Sequence, residues 1–143
     1  EEDYVLATLG FASHKKLKIL FVCDDNDLSV LTPTKDRRSW SLKDVAKSFG
    51  LNSVDITDDP LTIYHYVKKL SKSSLPALIN IRTCREYWHE GAGKDKEGKN
   101  FWSRYKIVKK KLIDVAEYKF VQKVENQNKN FMEKIWSKQL QKL

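Results

Sequence analysis

Ile19-Leu20-Phe21-Val22-Cys23-Asp24-Asp25-Asn26 is the stretch on which the fold turns. Five apolar residues in succession, rather than in alternation, are the pattern of a strand covered on both faces, and such strands belong to parallel sheets. The run predicts a central parallel strand ending at Cys23. Acidic and amide residues come directly after it, and the carboxyl end of a strand is where an open parallel sheet places its ligand groups. A plain Asx-rich turn accounts for the same four residues without any ligand.

On the N-terminal side, Asp3 to Ser13 has the composition of a helix that is apolar around most of its circumference, which requires burial on several sides. It opens with no preceding strand, so the chain reads as starting inside a fold. Downstream, residues 29–40 lack periodicity and read as a loop. Ser41 then caps a helix whose apolar face is Leu42, Val45, Ala46 and Phe49, with Gly50 at its end. Ser53 to Ile56 is a short strand. Asp59 and Pro60 start a helix running to about Leu70, and Ala77 to Ile81 is a further strand. Helix, strand, helix, strand, helix, strand predicts an α/β fold: a parallel sheet with helices on both faces. Residues 83–103 form a long polar loop containing Tyr87, Trp88 and Trp102. The remainder is helical, with a break expected at Asn126-Gln127-Asn128.

Composition narrows the class. The chain has 143 residues, 41% of them hydrophobic and 32% charged, enough apolar content for one core and too much for a disordered tail. Lys and Arg number 27 against 19 Asp and Glu, a net charge of +8, but the excess reads as spread out, with short runs only at Lys109–Lys111 and Lys35–Arg38. Cys23 and Cys84 are too few for a disulfide scaffold and fit a reducing, cytoplasmic compartment. No stretch approaches the ~20 apolar residues of a membrane span, so no membrane partner is expected. No nucleic-acid motif is present either, and nucleic acid is not an expected partner.

Four segments, in order, resemble the thiamine-diphosphate-dependent alpha subunits of 2-oxo acid dehydrogenases (the pyruvate, branched-chain and acetoin enzymes). Cys23-Asp24-Asp25-Asn26 resembles the Cys-x-Asn-Asn close of the cofactor motif, and Thr32-Pro33-Thr34 lies where that family has a similar turn. Val54-Asp55-Ile56-Thr57-Asp58 resembles its Val-Asp-Gly-x-Asp turn. Pro76-Ala77-Leu78-Ile79 through Thr83-Cys84-Arg85 resembles its Pro-x-Leu-Ile strand and Thr-Tyr-Arg, and His89, four residues on, falls at the position of the active-site histidine.

The resemblance implies a thiamine-diphosphate-binding fold, incomplete at the N-terminus, over residues 1–143, with a helical extension at 104–143. It implies thiamine diphosphate and magnesium as cofactors, with Asn26 and the Leu28 carbonyl as magnesium ligands. Asn26, Leu28, His89 and Arg85 become cofactor-binding residues, and His89 the catalytic one. Arg85 either anchors its loop, adds positive potential, or pairs with Glu86 or Glu90. The implied reaction is decarboxylation of a 2-oxo acid, with the acyl group passed to a lipoyl-bearing acyltransferase and a beta subunit or domain completing the site. The chain alone should therefore be inactive.

Departures from the family pattern are specific. The opening Gly-Asp-Gly is not in these residues. Asp24 and Asp25 add negative charge beside an anionic diphosphate. Trp88 replaces a glycine, Cys84 a tyrosine, and Glu90 an often-phosphorylated serine. The alternatives are a degenerate relative of the same fold, a transketolase-like site, which leaves Thr83, Arg85 and His89 unexplained, or a non-catalytic basic interaction module using Trp40, Trp88, Trp102 and Trp136.

Overall fold

A computed structural model describes residues 3–73, 76–88, 90, 93, 94 and 101–141. The chain divides into two compact units, Glu1–Trp102 and Ser103–Leu143.

The first unit is α/β. Its elements are α1 (Asp3–His14), β1 (Leu20–Asp25), the short β2 (Leu28–Ser29) and β3 (Thr32–Pro33), α2 (Leu42–Ser48), β4 (Asn52–Thr57), α3 (Pro60–Ser73) and β5 (Ala77–Arg82). β1, β5 and β4 form a three-stranded parallel sheet in that order, with Val22 and Val54 both opposite Ile79. Because side chains alternate along a strand, β5 supplies two cores. Ala77, Ile79 and Ile81 pack with Ile56 and Leu70 on the α3 side, and Leu78 packs with Leu9 of α1, Ala46 of α2 and Leu51 on the other. Helices thus cover both faces. Burying a side chain such as Ile79 or Leu70 contributes about 1.5–3 kcal/mol.

The expected central strand is instead an edge. β5 occupies the centre, and on β1 Leu20 and Phe21 are half-buried while Val22 is 58% exposed. A run of apolar residues reports hydrophobicity, not the number of neighbours. Asn80, standing in the middle of β5, makes the true centre look less apolar than the edge.

The helix ends obey local chemistry. The Ser41 hydroxyl accepts from the Asp44 N–H (3.1 Å), and the Asp59 carboxylate accepts from the Thr62 N–H (3.1 Å), each satisfying a free donor of the first turn. α2 closes in a Schellman motif, the Leu51 N–H donating to Ala46 and the Gly50 N–H to Lys47, with Gly50 at φ +87°.

The second unit is a helical hairpin of α4 (Arg104–Val115) and α5 (Tyr118–Leu140). α5 runs straight through Asn126-Gln127-Asn128, and the break lies at Ala116–Glu117, where Ala116 is extended (φ −128°, ψ 155°). Asn and Gln lower helix propensity by only about 0.5 kcal/mol each and block no backbone hydrogen bond. Reversal at Ala116 lets Val121 become buried, a tertiary gain invisible in propensity. This unit also holds most of the charge that reads as dispersed along the chain. It carries eleven Lys and Arg against four Asp and Glu, seven of the net +8, leaving sixteen against fifteen in the first unit.

Candidate functional site

At the carboxyl ends of the parallel strands the backbone turns sharply. The Asp25 carboxylate accepts from the Asp27 N–H (3.1 Å) and the Asn26 carboxamide oxygen from the Leu28 N–H (3.0 Å), two Asx turns in succession. They lead into the β2–β3 hairpin, in which Leu28 faces Pro33 and Ser29 faces Thr32. Thr34 donates to the Asp27 carbonyl, and paired positions alternate along an antiparallel ladder. Leu28 therefore turns its own N–H and C=O to the outer edge of the hairpin. Pro33, opposite, has no N–H to give. The Asn26 oxygen and the Leu28 carbonyl consequently lie along one edge: two neutral oxygen donors of the kind a hard divalent cation takes.

The hairpin is strained and held. Asp27 (φ +62°) and Val30 (φ +57°) occupy the left-handed region, uncommon for any non-glycine residue and costly for a β-branched one. Arg85 donates to the Val30 carbonyl (2.5 Å), tying this turn to the segment after β5. Of the roles open to Arg85, the anchoring contact is present. Two more bonds join the same elements: Thr83 donates through its N–H to the Asp25 carbonyl (2.9 Å) and through its hydroxyl to the Asp24 carboxylate (2.5 Å).

Asp24 and Asp25, the two acids that depart from the family pattern, are thus both engaged. Asp25 sits in a polar network on the α2 face of the sheet. The Asn80 amide nitrogen donates to Asp25 and to Asp55, at 3.0 Å each. Arg82 pairs with Asp25 at 2.7 Å, and Lys43 with Asp55 at 3.2 Å. Burial alone would push the Asp25 carboxyl up, but hydrogen bonds from Asn80 and Arg82 outweigh it and hold it below the usual carboxylate range. Burial, reinforced by Asp25, pushes the neighbouring Cys23 thiol up. Asn80 is 6% exposed and its carbonyl oxygen accepts no hydrogen bond.

At the far side of the same edge, the Trp102 indole N–H donates to both oxygens of Asp58 (2.9 and 3.2 Å), and its backbone N–H meets the Cys84 sulfur at 3.4 Å. The ends of β4 and β5 are thereby clasped together. Reading the sequence misses Asn80, Arg82, Lys43 and Trp102 as members of this edge. The one signal it offers is a lone amide in an apolar strand, since a buried polar group demands partners.

Of the expected site residues, Asn26, Leu28 and Arg85 converge on the hairpin, whereas His89 lies outside the described residues. Among the described residues no cluster of three or more His, Cys, Asp or Glu side chains is arranged to hold a metal ion. Both cysteines are free, and no described helix is long and apolar enough to cross a membrane. Comparison with family models, with curated proteins and with solved structures finds no match to this chain.

Proposed function

We propose that the first unit is part of a thiamine-diphosphate-binding domain of the 2-oxo acid dehydrogenase alpha-subunit type, contributing half of a cofactor site. The observation that carries this reading is the turn after β1, at the carboxyl end of a parallel strand, where the Asn26 carboxamide oxygen accepts from the Leu28 N–H and Leu28 turns its backbone to the outer edge of the β2–β3 hairpin. Support also comes from the bonds between two of the segments on which the resemblance rests: Thr83 joins residues 83–85 to Asp24 and Asp25, and Arg85 reaches Val30, two residues before Thr32-Pro33-Thr34.

The residues fit the implied group in part. Asn26 and Leu28 offer oxygen ligands suited to magnesium; of the two neighbouring acids, Asp25 is paired with Arg82, whereas Asp24, bonded to the neutral Thr83 hydroxyl, keeps its charge toward a diphosphate. An acidic magnesium ligand has to come from elsewhere. When bound, thiamine diphosphate supplies an electron sink for decarboxylation of a 2-oxo acid. This chain's own residues bind and orient: Asn26 and Leu28 hold the cation that carries the diphosphate, Arg85 fixes the hairpin that presents them, and His89 would meet the phosphate or the reacting acid. A beta subunit or domain and a lipoyl-bearing acyltransferase are the partners this reading requires. The concentration of positive charge in the second unit favours an interaction role for that unit rather than for the sheet.

The test is thermal unfolding in an assembly that also supplies the Gly-Asp-Gly acid. Thiamine diphosphate with magnesium should stabilise by about 2.7 kcal/mol at a hundredfold excess over Kd, magnesium alone should not, and Asn26→Ala should lose the effect. No stabilisation in that assembly, or decarboxylation of pyruvate by the isolated chain, would sink the reading.

A further inference from the structure

The chain after β5 closes on itself twice. In the outer closure the Trp102 N–H meets the Cys84 sulfur at 3.4 Å. In the inner one Tyr87 and Lys94 pair as an antiparallel bridge, and the Trp88 N–H donates to the Gly93 carbonyl at 3.0 Å. The Lys94 ammonium stands 5.6 Å from the centre of the Tyr87 ring, so a cation–π contact lies across the same pair. The backbone therefore passes one point at residue 88 and returns to it at residue 93.

The inner closure rests on a contact that glycine alone permits. The Trp88 indole lies against Gly93 so closely that a Cβ there would overlap its carbons Cδ2, Cε3 and Cε2. These atoms belong to the rigid fused ring rather than to the end of a flexible chain, so an added methyl displaces the whole indole. What the position demands is space and not backbone freedom: among the described glycines, Gly50 is the one with a positive φ. Trp88 is 51% exposed and belongs to neither core. Its contact with Gly93 is local, on the same residue pair that carries the hydrogen bond.

Trp88 stands where the resemblance places a glycine, directly before His89. A glycine there leaves the backbone free. We propose that Trp88 and Gly93 instead act as positioning residues, a clasp that fixes where this stretch of chain departs and returns and so sets the placement of His89. The inference rests on the reading of His89 as the group that meets the phosphate or the reacting acid. A side chain with that task has to be held close to its productive geometry by neighbours that are themselves locked. The clasp supplies that hold within the chain, before any ligand arrives.

The experiment is a double-mutant cycle in the full chain: Gly93→Ala, Trp88→Gly and the two together, read by amide exchange at residue 88 and by the proton signals of the His89 imidazole. Both positions lie outside the two cores, so circular dichroism and the melting temperature should be unchanged. Gly93→Ala should speed exchange at residue 88 by about tenfold and move the His89 signals toward those of an unstructured peptide. Trp88→Gly should move them the same way, and adding Gly93→Ala to it should change neither readout further, because the overlap has gone. Equal effects of Gly93→Ala in both backgrounds, or none in either, overturn the clasp. Faster exchange at residue 88 with unmoved His89 signals overturns its positioning role. No thiamine diphosphate enters these measurements, so a clasp that behaves as stated beside a chain that binds no cofactor refutes the cofactor reading, and the reverse refutes the clasp.

Discussion

Asn80→Asp is the perturbation that probes the strand-end network most sharply. The amide nitrogen it removes lies 3.0 Å from a carboxylate oxygen of Asp25 and 3.0 Å from one of Asp55. A charged carboxylate in its place would meet each at about the same separation, and Coulomb's law with an effective dielectric constant near 20 gives roughly 5.5 kcal/mol of repulsion per pair. Arg82 and Lys43 offset part of this. Keeping the new carboxyl protonated at pH 7 costs less, about 4 kcal/mol from an ordinary pKa near 3.9. The variant therefore takes up a proton on folding and loses about 4 kcal/mol of stability at pH 7. Because its folded form binds more protons than the unfolded chain, the loss shrinks by about 1.4 kcal/mol per unit as pH falls, leaving about 1.5 kcal/mol near pH 5. Urea denaturation of parent and variant at pH 7, 6 and 5 measures the gap directly. A gap that stays constant across those pH values would refute the network as the origin of the effect.

The parent behaves oppositely in acid: its depressed Asp25 carboxyl contributes stability that is present above the ordinary carboxylate value near 3.9 and lost as pH falls below it, so Asp25→Asn should flatten the acid limb of its stability curve. Ile79→Ala, at a fully buried position on the central strand, should cost about 2–5 kcal/mol by equilibrium denaturation. Val30→Gly relieves a left-handed β-branched residue and should stabilise by about 1 kcal/mol in a thermal melt, whereas a loss would mean that Val30 makes contacts outweighing its backbone strain. Trp102→Phe removes the indole donor from Asp58 and should cost about 1–2 kcal/mol, with faster amide exchange at the ends of β4 and β5.

How much the residues disclose depends on how local the determining physics is. Helix starts at Ser41 and Asp59 and the stop at Gly50 are single-residue chemistry, and the structure has them where the sequence places them. The alternation of helix and strand likewise yields the parallel sheet with helices on both faces. Strand order is not local. Ile19 to Cys23 looks central because it is apolar, but centrality is decided by which strands pair, and Asn80 is accommodated in β5 only because Asp25 and Asp55 arrive from strands on either side. The break before α5 escapes the sequence for a similar reason: Ala116 is a strong helix former, and only the packing of the hairpin explains its extended backbone. At the strand end, the amide of Asn26 is legible as a polar group after the apolar run, while Leu28 enters only through the resemblance. Trp102 and Arg82 are not legible, since their partners lie 44 and 57 residues away.

Whether the hairpin after β1 presents half of a magnesium–diphosphate site is decided by nitrogen-15 amide spectra of the chain, titrated with thiamine diphosphate and magnesium into the millimolar range, where weak half-site binding is still detected. We expect shifts concentrated at Asn26–Ser29 and Thr83–Arg85, absent with magnesium alone and abolished by Asn26→Ala. Unmoved signals at those residues, or the same shifts in the variant, would contradict a half-site at this hairpin.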